Sequence, residues 1–151
     1  MFYGLCNNDG YVWIFGGKSQ RTANKRYPYD NLWEYNIKLN TFKCIKTIVR
    51  PPGRYGLTLN YYNNYLYLFG GCAWNDTYNY TNDLWRFCIK TQSWIELLFH
   101  GEKPQERHCH KTIMYQHYII LFGGYIFDDA RWKSDCFNDI WYFNNHSYKW
   151  R

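Results

Sequence analysis

Three copies of one motif run through this 151-residue chain, and they constrain its fold more than any other feature. In each copy an apolar run ends in a phenylalanine and two glycines, a loop follows, and then a short segment contains an acid and a tryptophan. The glycine pairs are Gly16-Gly17, Gly70-Gly71 and Gly123-Gly124, so successive pairs stand 54 and 53 residues apart. A period of about this length is typical of proteins that stack copies of one supersecondary unit.

Spacing inside each copy separates strands from loops. A tryptophan closes each acidic segment, and a second aromatic residue follows nine positions later in every copy. These pairs are Trp33 and Phe42, Trp85 and Trp94, and Trp141 and Trp150. The connection from the glycine pair to the first tryptophan varies from 14 to 17 residues. Constant segments indicate packed strands, and variable segments indicate loops that face solvent.

Each copy therefore predicts four short antiparallel strands. Aromatic residues make up 23% of the chain, a composition that favours strands, and no amphipathic helix of convincing length is visible. In the second copy we predict strands over 55–62, 65–69, 84–89 and 94–98. In the third copy we predict a first strand over 108–115, and the fourth has only begun at Trp150. The fold class is all-β.

These features resemble the blades of a kelch-type β-propeller. Two arginines strengthen the resemblance, because Arg54 and Arg107 each precede the first strand and stand 16 residues before their glycine pair. The chain departs from the pattern at Phe42, where the later copies have tryptophan. The resemblance implies a partial propeller of three four-stranded blades, over residues 1–50, 54–101 and 107–151. Residues 29–37, Pro51-Pro52 and the long loop of the third copy favour one intracellular subfamily of kelch domain-containing proteins.

The resemblance also implies which residues are structural. Tryptophans at fixed strand positions should stack between sheets, and the arginines should join the loops between blades to backbone carbonyls or an acid. The set is Gly16, Gly17, Trp33, Arg54, Gly70, Gly71, Trp85, Trp94, Arg107, Gly123, Gly124, Trp141 and Trp150.

Loops between the second and third strands form, by the same resemblance, one rim that binds partners. They cover residues 18–29, 72–81 and 125–137, and they are rich in Trp, Tyr and Arg, which carry much of the binding energy at protein interfaces. The candidate partner-binding residues are Arg21, Lys25, Arg26, Tyr27, Trp74, Tyr78, Tyr80, Tyr125, Arg131 and Trp132. The alternative interpretation is that these rings cover their own loops.

Charge narrows the class of partner. The formal net charge is +6, and Lys18, Arg21, Lys25 and Arg26 lie in one loop, which is either a solvated loop or a patch for an acidic protein or peptide. No recognition motif for nucleic acid accompanies this charge, and no apolar run approaches the roughly 20 residues of a membrane span. Six cysteines lie singly along the chain, which favours reduced thiols and a cytoplasmic or nuclear location.

One segment raises the possibility of an enzyme. His108 and His110 would share a face of a strand, a spacing that can hold a metal, and galactose oxidase places copper and a cysteine-linked tyrosine on a kelch propeller. No third ligand is fixed by the sequence, so we predict no catalytic residue, no metal and no cofactor. The main hypothesis is a non-catalytic interaction scaffold. The alternatives are a metal- or radical-dependent oxidase, the substrate-recognition part of a cullin ubiquitin ligase, and an actin-associated scaffold.

Three blades alone leave the outer faces of the first and third sheets uncovered. Several hundred Å² of bare apolar surface on each face would forgo about 10 kcal/mol at about 25 cal/mol per Å². The sequence therefore favours a piece of a longer propeller, with two alternatives: two copies that close a ring, or an open arc.

Overall fold

The computed structural model describes residues 3–18, 28–74, 77–99, 101–128 and 130–151, and it describes Trp74 by its backbone. Fourteen β-strands in this part of the chain form four antiparallel sheets. Blade 1 contains β1 (Gly4–Asn8), β2 (Tyr11–Phe15), β3 (Leu32–Asn36) and β4 (Thr41–Ile45). Blade 2 contains β5 (Thr58–Tyr62), β6 (Tyr65–Trp74), β7 (Tyr78–Cys88) and β8 (Ser93–Glu96).

Blade 3 has the same order with one insertion. Its sheet contains β9 (Lys111–Tyr115), β10 (Tyr118–Phe122), β13 (Ile140–Asn144) and β14 (Lys149–Trp150). Between β10 and β13, the strands β11 (Tyr125–Asp128) and β12 (Lys133–Cys136) form a separate two-stranded hairpin. The prediction of an all-β partial propeller with three four-stranded blades is confirmed. Within the described ranges, no helix is long and apolar enough to cross a membrane.

The first strands of blades 2 and 3 begin later than the sequence predicts. The expected starts at residues 55 and 108 are wrong, because Gly56 and Cys109 adopt left-handed backbone conformations with φ of 64° and 57°. Tyr55 and His108 instead make isolated bridges to Cys72 and Tyr125. The residue that follows each arginine is thereby directed towards the rim.

Two segments that the sequence analysis treats as loops contain β-hairpins. Strands β6 and β7 continue through an irregularity between Phe69 and Gly71, and their pairing extends to Trp74 opposite Tyr78. A glycine with positive φ permits such a bulge, and the threonine and tyrosines beyond it favour extended backbone. In the other hairpin, the Asp128 carboxylate accepts hydrogen bonds from the backbone N–H groups of Ala130 and Arg131 and closes the turn.

Two apolar clusters hold the blades together. The cluster between blades 1 and 2 includes an edge-on contact of 5.6 Å between the ring centres of Phe15 and Trp94. The cluster between blades 2 and 3 includes an equivalent contact of 5.0 Å between Phe69 and Trp150. Trp33 differs from the expectation for the recurring tryptophans, because it lies on the outer face of blade 1, stacks between no two sheets and is 40% exposed.

Candidate partner-binding rim

A buried arginine anchors the connection that leads into blade 2. Arg54 donates from Nη2 to the Asp83 carboxylate at 2.8 Å, from Nη1 to the Gly70 carbonyl at 3.2 Å, and from Nε to the Pro52 carbonyl at 3.0 Å. Each bond joins Arg54 either to the irregular region of β6 and β7 or to the connection that precedes blade 2. Arg54 therefore fixes the base of the rim through one carboxylate, two backbone carbonyls and the Thr81 hydroxyl.

Arg107 repeats this arrangement at the start of blade 3. Its guanidinium donates to Asp139 at 2.8 Å and to the Gly123 carbonyl at 3.0 Å, while Nε donates to the Gln105 carbonyl at 3.0 Å. The indole N–H of Trp141 donates to the same Asp139 carboxylate at 2.7 Å. One recurring tryptophan thus orients the acid that binds the arginine.

The two carboxylates are ionised more readily than usual. Burial alone would raise the pKa of Asp83, but the hydrogen bonds and positive charge of Arg54 hold that pKa below its ordinary value. The hydrogen bond from Arg107 likewise lowers the pKa of Asp139. Both ion pairs are therefore maintained at neutral pH.

Blade 1 lacks this buried pair among its described residues. Its acid stands one position earlier than in the other copies, since Asn31 occupies the place two residues before Trp33. Asp30 instead pairs with Arg50 of the connection between blades 1 and 2, at 2.7 Å, and both side chains are substantially exposed.

The glycine pairs connect neighbouring blades through the backbone. The N–H of Gly17 donates to the carbonyl of Arg54 at 2.9 Å, and the N–H of Gly71 donates to the carbonyl of Arg107 at 3.0 Å. Each bond joins the glycine pair of one blade to the arginine that precedes the first strand of the next blade. The buried arginines and the glycine pairs thus form one backbone framework beneath the rim loops.

An aromatic cluster joins the rim hairpins of blades 2 and 3. The Tyr80 ring lies 6.0 Å from Tyr78 in a stacked arrangement and 4.9 Å from the His108 ring. The His108 ring lies 4.1 Å from Tyr125, and Tyr78 lies 6.4 Å from Phe127. These five residues form the rim cluster, which spans the gap between the two hairpins.

The Tyr80 hydroxyl also connects the two hairpins by a hydrogen bond. It accepts from the backbone N–H of Phe127 at 3.0 Å, so it bonds to an edge of the β11–β12 hairpin. We expect Tyr80→Phe to leave the unfolding free energy within about 1 kcal/mol, because one hydrogen bond is lost while the ring packing remains. Amide hydrogen exchange across residues 125–136 should become faster in this variant. Unchanged exchange there would show that the hydroxyl does not couple the hairpins.

The predicted partner-binding residues fall into three groups. Tyr78, Tyr80 and Tyr125 belong to the rim cluster and are partly buried. Arg131 and Trp132 lie at the tip of the β11–β12 hairpin and are exposed. Five predictions lie outside the described side chains, namely Arg21, Lys25, Arg26, Tyr27 and Trp74.

Arg131 is engaged within its own hairpin. Its Nε donates to Asp128 at 2.6 Å, and Nη2 donates to Asp135 at 2.8 Å. Two acids thus share the guanidinium, so the side chain first orders the hairpin tip. Trp132, the next residue, is 85% exposed, and its ring meets the edge of Phe127 at 6.0 Å.

The two histidines of the third copy do not share one strand face, so that prediction is wrong. Strand β9 begins at Lys111, and the left-handed Cys109 between the histidines breaks the alternation of side chains. The His108 ring accordingly joins the rim cluster, whereas His110 contacts Phe69 and lies 3.0 Å from the Thr58 hydroxyl. Over the described residues, no three His, Cys, Asp or Glu side chains are grouped to hold a metal ion.

Burial keeps both imidazoles neutral. It lowers the pKa of His108, although the hydrogen bond with the Tyr125 carbonyl partly offsets the effect. Burial, followed by the positive charge of Arg107, lowers the pKa of His110 to about 3. These rings therefore act as uncharged packing groups. Sequence reasoning missed Tyr55 and His108 as rim residues, and their shared position directly after the arginine was the available signal.

Radial sheets of four antiparallel strands, joined by buried arginines and glycine pairs, define a segment of a β-propeller. The chain belongs to the kelch-repeat family, because the KLHDC2/KLHL20/DRC7 Kelch-repeats domain matches residues 3–151.

Among curated proteins, human Kelch domain-containing protein 3 is 28% identical over 131 residues, which cover 82% of this chain and 33% of that protein. Tip elongation aberrant protein 1 of Schizosaccharomyces pombe is 30% identical over 141 residues, which cover 92% of this chain and 12% of that protein. The Drosophila melanogaster Leucine-zipper-like transcriptional regulator 1 homolog is 24% identical over 138 residues, covering 88% of the chain and 13% of the relative. The chain thus spans a third or less of the length of these relatives.

Proposed function

We propose that the chain is a non-catalytic interaction module that binds a protein or peptide at its rim. Kelch-repeat domains are typical protein–protein interaction modules, which supports this class of function. The observation that carries the proposal is the position of Trp132, an almost fully exposed indole at the tip of a hairpin. A large apolar ring that remains mostly exposed within its own chain is suited to burial by a partner.

The surroundings of Trp132 favour a preformed contact surface. Phe127 supports one edge of the indole, and the ion pairs of Arg131 with Asp128 and Asp135 order the turn that presents it. A side chain that is already ordered loses less conformational entropy on binding. The rim cluster extends this surface from Trp132 towards blade 2.

The partner that we propose carries acidic groups beside an apolar or aromatic residue. The apolar residue would pack on Trp132 and the rim cluster. The acidic groups would be attracted by the excess of basic residues in a chain with a net charge of +6. Binding should therefore weaken as ionic strength rises, because salt screens exposed charges.

A peptide-display selection tests the proposal directly. Peptides selected on the wild-type chain should bind Trp132→Ala at least tenfold more weakly, because loss of a central aromatic contact costs about 2 kcal/mol. Fluorescence anisotropy with labelled peptides measures the affinities. The matched control is Leu39→Ala, which removes an exposed apolar side chain from the turn between β3 and β4, at the opposite end of the strands.

Two outcomes separate binding at the rim from binding elsewhere. Equal affinity of the wild-type chain and Trp132→Ala, with both folded by circular dichroism, would refute the assignment to the rim. A loss of affinity in Leu39→Ala would also contradict it, since that side chain lies away from the rim hairpins.

Several more specific roles are further proposals that are compatible with binding at the rim. The motifs of residues 29–37 and Pro51-Pro52 resemble kelch domain-containing protein 4, and we propose a functional likeness to that protein. Delivery of a bound protein to a cullin ubiquitin ligase, or attachment to actin, would use the same rim.

A cytoplasmic or nuclear location is likewise a proposal, supported by six cysteines that are all unpaired.

A further inference from the structure

Two histidines of blade 3 face each other at the end of the blade opposite the rim hairpins. His117 lies in the turn between β9 and β10, and His146 lies in the turn between β13 and β14. Their ring centres are 4.3 Å apart, and the rings stack with an angle of 22° between their planes. His117 is half-buried and His146 is exposed, so solvent reaches the two rings. We call these two residues the turn pair.

Hydrogen bonds hold the two turns in this position. The N–H of Asn145 donates to the carbonyl of His117 at 3.0 Å, which joins one turn to the other. The side-chain oxygen of Asn144 accepts from the N–H groups of His146 and Ser147 at 2.8 and 3.0 Å. Both imidazoles therefore extend from ordered backbone, which reduces the conformational entropy lost when a ligand binds them.

Asn145 adds a third polar side chain to this region. Among the described residues, no group forms a hydrogen bond with either polar atom of the Asn145 side chain, although both atoms are buried. Native structures rarely leave buried polar atoms unpaired, and a bound ion or water is one explanation where they do. Because Asn145 precedes His146 and bonds to His117 through its backbone, its amide oxygen lies in the same region as the turn pair.

Two imidazoles and one amide oxygen are donors that select the class of ligand. Within the described chain, the imidazoles of the turn pair form no hydrogen bond or ion pair, so their nitrogens are available. Imidazole nitrogen suits Zn²⁺, Cu²⁺ and Ni²⁺, whereas Ca²⁺ and Mg²⁺ prefer oxygen ligands. An ion bound by two imidazoles holds their nitrogens at most about 4 Å apart, because each bond is about 2.0–2.1 Å long. The separation of the stacked rings is of that size, so rotation about the Cβ–Cγ bonds allows one nitrogen of each to reach a shared ion.

We propose that the turn pair and Asn145 form a binding site for one divalent transition-metal ion. His117 and His146 each donate one ring nitrogen, Asn145 donates its amide oxygen, and water completes the coordination. The ion would cross-link the two turns of blade 3 and stabilise the folded chain, because the unfolded chain does not hold these donors together. The site differs from the arrangement of His108 and His110 that the structure excludes, and it is independent of binding at the rim.

Isothermal titration of the chain with NiCl₂ tests the site. We expect one Ni²⁺ per wild-type chain. His117→Gln and His146→Gln should each weaken the affinity at least tenfold, since even residues that only support a ligand contribute about 10- to 100-fold. Asn145→Asp should bind Ni²⁺ more tightly than the wild-type chain, because a carboxylate adds a negative charge to the donors. The matched control His108→Gln removes an imidazole from the rim cluster and should keep the wild-type affinity.

Paramagnetic broadening in amide NMR spectra gives the position of the ion, which separates the turn pair from the six cysteines. Substoichiometric Ni²⁺ should first broaden the signals of residues 116–118 and 144–148, the two turns and their flanking strand ends. Broadening centred on a cysteine, unchanged affinity in a folded His→Gln variant of the turn pair, or a loss of affinity in His108→Gln would each overturn the assignment. Equal affinity of Asn145→Asp and the wild-type chain would overturn the site of three donors. Loss of peptide binding in Trp132→Ala concerns the rim and leaves these measurements unaffected.

Discussion

Asp83→Asn should lower the unfolding free energy by about 3 kcal/mol, because it leaves the buried guanidinium of Arg54 without a charged partner. Arg54 is 1% exposed and also binds the Gly70 carbonyl, so water cannot readily replace the lost carboxylate. Asparagine keeps the size of the side chain and removes its charge. Urea unfolding followed by tryptophan fluorescence measures the loss.

Two further aspartates provide a graded control. The side chain of Asp83 is 20% exposed, that of Asp139 is 36% exposed and that of Asp30 is 39% exposed, while the Arg50 partner of Asp30 is itself exposed. We expect about 2 kcal/mol for Asp139→Asn and less than about 1 kcal/mol for Asp30→Asn, since exposed ion pairs contribute little. Equal losses at all three positions would contradict the role of burial.

The same ion pairs predict how stability depends on pH. The folded-state pKa values of Asp83 and Asp139 lie below the ordinary value, which is about 4 in an unfolded chain. The stabilisation is therefore present above about pH 4 and is lost as the pH falls through the lower folded-state values. Urea unfolding between pH 3 and pH 6 should show a smaller acid-dependent loss in Asp83→Asn than in the wild-type chain. An equal loss in both would exclude a contribution from Asp83.

The blades could be predicted from the sequence because their determinants recur at fixed spacing. The glycine pairs mark the ends of β2 and β10 and the bulge within β6, and the arginines occupy the same buried position in two copies. Each of these glycines and arginines contacts residues of its own repeat or residues at the start of the next repeat. A repeated local pattern was therefore sufficient to infer the sheet order.

The rim could not be predicted at the same level because its contacts join distant residues without a repeated pattern. Nothing in the sequence marks the left-handed conformation of Cys109, which directs His108 towards Tyr80. The extension of the blade 2 hairpin also depends on pairing across the bulge at Gly70. Arg131 appeared available to a partner from composition alone, yet two acids on its own hairpin bind it.

Gly16→Ala should lower the unfolding free energy by about 3 kcal/mol, in contrast to Gly10→Ala, for which we expect about 1 kcal/mol. Both glycines have positive φ, 73° and 86°, so alanine bears the cost of a left-handed conformation at either position. At Gly10 a new Cβ would meet no atom within 4 Å, whereas at Gly16 it would lie within 2.9 Å of a Leu57 methyl group and closer still to the Arg54 carbonyl oxygen.

The Arg54 carbonyl cannot move without cost, which is why the difference between the two variants should be large. Its oxygen accepts the hydrogen bond from Gly17 N–H at 2.9 Å that joins blades 1 and 2. Moving it away from an alanine Cβ would stretch that bond and shift the residue whose guanidinium binds Asp83. The difference between the two variants in urea unfolding therefore measures the close approach of the blades, separately from backbone strain. Similar losses for both variants would mean that blades 1 and 2 can move apart with little loss of free energy. Gly16 would then be required only for the backbone conformation at the end of its own strand.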